Sequence, residues 1–202
     1  MKTARLLYGM LACALLLGTA LAGHTADNTT AASAPESDTL VTTRHRIAAG
    51  KTSIKYTTTA GWLILKKANG QQCAKMFFVG YEKTGRGKQE RPITFAFNGG
   101  PGSSSVWLHM GALGPRRVLL HPDGAAPPAP GQLIDNEYTW LSFSDLVFVD
   151  PVGTGYSRAS DEKKEREFFD FKEDIASVGD FVRLYLTRFN RWRSPVYLAG
   201  KS

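Results

Sequence analysis

Residues 171–189 read FKEDIASVGDFVRLYLTRF. Phe171, Ile175, Val178, Val182, Tyr185 and Phe189 recur at steps of three and four, and Phe181 and Leu184 widen the stripe. The spacing predicts an amphipathic helix of about five turns whose aromatic residues pack a core. Asp170, Glu173 and Asp174 supply the negative charge that favours a helix start. Pro195 bars any continuation of the helix. Before the helix, Leu146-Val147-Phe148-Val149 is a continuous apolar run, the pattern of a strand buried on both faces. After it, residues 196–199 (VYLA) form the next strand. Strand, helix, strand within about 50 residues is a parallel βαβ unit, and it sets the class as α/β.

Upstream, the pattern is a series of short β-prone runs joined by turns. Residues 41–47 form a first strand, and residues 54–58 and 62–65 form two more, split by Ala60-Gly61. Residues 76–81, with Phe77 and Phe78, form another. A charged, Gly-containing turn at 84–90 leads to a strand at 93–97 that ends on Asn98. This half is expected to be largely antiparallel.

The remaining composition bounds the classes. A chain of 202 residues, 43% hydrophobic and 21% charged, has room for one moderate core. Lys2 and Arg5 precede an apolar or small run at 6–20, and Ala20-Leu21-Ala22 gives a small-x-small cleavage pattern. Residues 1–22 therefore read as a secretory signal peptide, and the protein as secreted or periplasmic. Residues 23–40, rich in Ala, Thr and Ser, read as a flexible lead-in to a domain at 41–202. No later segment is long and apolar enough for a stable membrane span.

The formal charge is +7, or +5 without Lys2 and Arg5. Lys163, Lys164 and Arg166, and then Arg188, Arg191 and Arg193, alternate with acids or flank a helix end. They read as a solvated surface, not a nucleic-acid face, which would gather its cations with stacking aromatics. With Cys13 inside the leader, Cys73 has no internal disulfide partner and reads as a half-buried thiol. No metal or cofactor motif is present, and nothing in the pattern specifies an oligomeric state.

Two strand ends carry residues suited to chemistry. Residues 98–105 read NGGPGSSS. Three glycines in five positions permit positive φ and close backbone approach to a ligand, and residues 103–105 can cap a short helix. Backbone N–H groups of such a turn can converge on an oxyanion, although an ordinary Gly-Pro turn has the same composition. The second end is Gly200-Lys201-Ser202, which begins a G-x-S-x-G nucleophile elbow at the end of a strand. A phosphate loop fails, because Pro195 stands where its first glycine is required.

Five blocks in order resemble the serine carboxypeptidase family of α/β hydrolases. They are FNGGPGSS (97–104), LGP (113–115), YTW (138–140), DPVGTGYS (150–157) and YLAGKS (197–202). The resemblance covers about residues 60–202 and implies the N-terminal portion of an α/β-hydrolase fold. It implies Ser202 as nucleophile and Gly100 as oxyanion donor. It also implies substrate contacts from Asn98 and Gly99, from the pocket floor at 150–157 with Asp150 and Tyr156, and from Lys201. The implied reaction is hydrolysis of a peptide bond near a free C-terminus through an acyl-enzyme, with a peptide as partner and no cofactor.

Four positions depart from the family pattern. Lys201 stands where the family commonly has Glu, which shares a proton with the bound carboxylate. Ala112 replaces a common Glu, Ala96 a common Trp and Ser103 the usual Cys. These changes point to altered specificity. The triad order in this fold is Ser, Asp, His, whereas His24, His45, His109 and His121 all precede Ser202. Residues 41–202 are thus expected to be a truncated hydrolase domain, inactive alone. The alternative is a non-catalytic homologue that binds peptides or regulates.

Overall fold

The computed structural model describes residues 38–85, 91–100 and 102–201, within a unit that spans Ala34–Ser202. The leader and all but the end of the lead-in lie outside the described residues.

Three long strands form an antiparallel meander: β1 (Thr39–Ala49), β2 (Thr52–Lys66) and β3 (Gln72–Lys83). β1 begins inside the stretch assigned to the lead-in. β2 is one strand, not the two short ones expected from the break at Ala60-Gly61. Gly61 (φ 152°) pairs with Leu40, and a Cβ there would stand 1.9 Å from the Thr39 carbonyl oxygen. The glycine therefore lets β1 approach closely without interrupting the ladder.

The sheet continues through β4 (Ile93–Asn98), β7 (Asp145–Val149) and β9 (Val196–Lys201), in the order β1-β2-β3-β7-β4-β9. β7, β4 and β9 are mutually parallel, and β3 pairs with β7 antiparallel. Between β4 and β7 lie α1 (Val106–Leu108), a π-helical turn (His109–Leu113) and a separate pair, β5 (Arg116–Val118) with β6 (Leu133–Asp135). β8 (Arg158–Ala159) joins β3. The result is a mixed sheet of α/β type.

Alternation along the strands buries both faces of the sheet. Phe78, Phe95, Val147 and Val149 face α2 (Phe171–Arg188) and meet Phe181 and Tyr185. Tyr81, Ala96, Leu146 and Phe148 face the other side, with Ile54, Leu113 and Leu141. Every residue of β7 is buried, as its apolar run predicts. Full burial of Phe181 is worth about 2–3 kcal/mol over exposure.

α2 is capped by the Asp170 side chain, which accepts from the Lys172 N–H. Its stripe is narrower than its spacing suggests: Phe171 and Ile175 are exposed. Pro195 does not end it. Asn190 takes a left-handed conformation (φ 54°), Arg191 N–H reaches the Leu186 carbonyl at 2.7 Å and Asn190 N–H the Thr187 carbonyl at 3.3 Å. That is a Schellman cap, with Asn in glycine's usual place.

The cap turns Arg191 inward, which corrects its assignment to a solvated surface. Arg191 is fully buried, and its guanidinium bonds Asp145, Glu82, Ser194 and the Arg91 carbonyl. A charge of this kind is tolerated inside because each of the three guanidinium nitrogens finds an acceptor.

Candidate active site

The site lies where the parallel strands end. Register brings Asn98 of β4 opposite Lys201 of β9, while Ala96 pairs with Phe148, so Asp150 follows the end of β7 at a similar level. Ligands in open α/β sheets bind at this edge. Ser202, the residue after β9, lies outside the described residues, as does Pro101.

The turn after β4 uses its glycines as composition suggests. Gly100 (φ 140°) and Gly102 (φ 95°) adopt backbone conformations that other residues rarely take. A Cβ on Gly100 would lie 3.1 Å from Ser103 Oγ. Asn98 Nδ2 donates to the Gly99 carbonyl at 3.2 Å, whereas its buried Oδ1 has no hydrogen-bond partner among the described residues.

Ser105 precedes α1 but does not cap it with its side chain. Its Oγ instead lies against the carbonyls of Val149 and Ala96, tying the turn to the ends of β7 and β4. Its N–H donates to Asp150 Oδ1 at 2.8 Å. Asp150 is buried, which pushes its carboxyl pKa up; the backbone N–H groups of Ser105 and Tyr156 oppose that shift. The Asp150 carbonyl accepts from Ser157 Oγ at 2.6 Å, and that Oγ accepts from Phe77 N–H at 2.7 Å.

Between the two loops is an open cavity of about 860 Å³. Asn98, Gly99, Gly100, Gly200 and Lys201 line it, with Pro151, Val152 and Thr154 from the second loop. Four of the expected site residues, Asn98, Gly99, Gly100 and Lys201, thus line one cavity. Asp150 and Tyr156 do not line the cavity. Asp150 is turned toward backbone N–H groups behind it. Tyr156 is exposed and packs edge-on against Phe77, which meets Trp62 the same way. The Trp62 indole N–H donates to the Tyr156 carbonyl at 2.9 Å.

The cavity also draws on Asp174, read from the sequence as a helix-start charge, and on Phe168 and Phe169, to which the sequence reading gave no role. The exposure of Phe169 beside a helix N-terminus is the feature that marks it, and it is visible only in three dimensions.

The other reactive side chains lie elsewhere. His109 stacks on Phe148 and bonds the Tyr81 hydroxyl at 2.5 Å; burial lowers its pKa to about 4. Cys73 is half-buried and its pKa is raised, chiefly by burial. Among the described residues, no group of His, Cys, Asp and Glu could hold a metal ion. No described helix is long and apolar enough to cross a membrane.

Comparison with known proteins gives the same assignment as the strand-end blocks. The family model described as serine carboxypeptidase matches residues 49–202. Serine carboxypeptidase 3 of Hordeum vulgare is 34% identical over 135 residues, covering 64% of this chain and 23% of the relative. A pheromone-processing carboxypeptidase of Cryptococcus gattii is 33% identical over 131 residues, covering 64% and 18%. Serine carboxypeptidase 3 of Triticum aestivum is 29% identical over 135 residues, covering 64% and 24%. The chain belongs to the serine carboxypeptidase family. It spans about a quarter or less of the length of these relatives.

Proposed function

We propose that the protein is an exported serine-type carboxypeptidase with an α/β-hydrolase fold, and that residues 98–105 form its oxyanion loop. Residues 1–22 act as the signal peptide, 23–40 as a lead-in, and 41–202 as hydrolase domain. The observation that carries this reading is the register of β4 and β9: Asn98 faces Lys201, so the glycine turn stands beside the residue that precedes Ser202.

In this reading Ser202 Oγ attacks the scissile carbonyl carbon and its proton passes to a general base. The Gly100 N–H donates to the oxyanion, the amine departs with a proton, and water hydrolyses the acyl-enzyme. Asn98, Gly99 and Lys201 hold the substrate's C-terminal carboxylate; the Lys201 ammonium attracts it directly where the family's Glu would share a proton. Asp150 and Tyr156 serve the site from outside the cavity. The reading needs a general base, and none of the described histidines lines this cavity.

The test is peptide turnover by the native gene product. Release of the last residue from a peptide with a free C-terminus, and no release from its amidated twin, is the expected result. Equal cleavage of both, or binding of the peptide with no turnover, would overturn it; the latter would favour a non-catalytic peptide-binding homologue.

A further inference from the structure

Asp150 departs most from its expected place, and its contacts assign it a different task. The turn at 98–105 contains three glycines, two of them at positive φ, so its backbone has little intrinsic preference for one path. Its course is set by its two ends. At the first, Asn98 is fixed in the β4–β9 ladder. At the second, Ser105 N–H is held at 2.8 Å by the Asp150 carboxylate, a charge-assisted bond in a buried setting.

The same carboxylate lies against the 150–157 loop at Gly155, so one side chain stands between that loop and the 98–105 turn. Gly155 (φ 48°) presses against this carboxylate: a Cβ there would stand 1.9 Å from Asp150 Oδ2. Ser157 Oγ clamps the Asp150 carbonyl to the Phe77 N–H of β3. The carboxylate is thus fixed from both sides, with the Ser105 N–H of the first loop on one oxygen and the Gly155 backbone of the second packed against the other.

We infer that Asp150 is a positioning residue for the oxyanion loop, acting through the Ser105 N–H to aim the Gly100 N–H. This rests on the proposed function of that loop. An Asn at 150 leaves only a neutral acceptor for the Ser105 N–H, and its amide would have to share the space at Gly155 that the second carboxylate oxygen fills. A displacement near 1 Å at a reacting centre costs about 10²-fold in rate, whereas substrate binding at Asn98 and Lys201 is untouched.

The experiment compares native gene product with D150N, measuring kcat and KM on a free-C-terminus peptide, the rate of fluorophosphonate labelling, and the thermal midpoint. The expected D150N protein is folded, with kcat and labelling rate down about 30–100-fold and KM within about threefold. A folded D150N with wild-type kcat and labelling rate, or with its loss in KM alone, would overturn the inference. If D150N does not fold, Gly155→Ala, which displaces the carboxylate without removing it, takes its place with the same expectation and the same contrary result. A wild-type protein that neither turns over peptide nor labels would sink the proposed function and this inference with it; a wild type that does both, beside an unimpaired variant, would sink the inference alone.

Discussion

Arg191 Nη1 lies 2.9 Å from Asp145 Oδ2, and neither side chain reaches solvent. Asp145 is held from its other oxygen by Arg91 Nε at 2.7 Å and by the Lys83 N–H at 3.0 Å. This network joins the start of β7 to the segment between α2 and β9, and so bears on how the parallel strands come to end together. Removing one member of a buried ion pair strands the other, at about 3–5 kcal/mol. Arg191→Ala is expected to cost about 3 kcal/mol, because Asp145 keeps Arg91. Urea unfolding measures it; a cost under about 1 kcal/mol would contradict a buried network.

His109 gives stability a pH dependence of known sign. Burial holds its pKa down to about 4 in the folded protein, against 6.5 for a free imidazole. As pH falls from 6.5 toward 4, the unfolded chain takes up the proton and the folded one does not, so stability falls across that window. The full loss is about 3 kcal/mol, most of it below pH 6. His109→Phe keeps a ring on Phe148 and should flatten this slope, at the cost of leaving the Tyr81 hydroxyl without its partner. Denaturation midpoints of both proteins at pH 6.5 and pH 4.5 check it; parallel slopes would contradict the buried, neutral histidine.

Lys201 separates two ways of holding a carboxylate. Lys201→Met is expected to raise KM for a free-C-terminus peptide about tenfold at all pH values, since it removes an attraction without adding a repulsion. Lys201→Glu should raise KM further at pH 7 and recover below about pH 4.5, where a carboxyl can share a proton. Amidated peptides should show neither effect in binding. A KM–pH profile of the three proteins reads this directly; identical profiles would remove Lys201 from the site.

Much of this architecture was legible in the residue pattern, for reasons of period. The continuous apolar run of β7 and the three-and-four spacing of α2 are the marks of burial on two faces and on one stripe. Asn98 and Lys201 could be placed at strand ends because Gly-rich turns and a Gly-x-Ser follow those runs. What failed was whatever depends on partners distant in sequence. Gly61 looks like a break but permits a close strand. Arg191 looks like a surface cation at a helix end, yet the left-handed Asn190 turns it into a buried acceptor cage. Phe171 and Ile175 fit the helical stripe but lie in its first turns, beyond the sheet. Asp150 directly follows β7, but its donor is a backbone N–H group, which carries no side-chain signature.

In the proposed function the strand-end turn at 98–105 serves a nucleophilic Ser202. The most direct measurement is fluorophosphonate labelling of the folded native gene product, with the modified residue located by peptide mass. One adduct on Ser202, absent after Ser202→Ala, is the predicted result. Folded protein that takes no label at Ser202, or takes it equally after Ser202→Ala, would contradict the account.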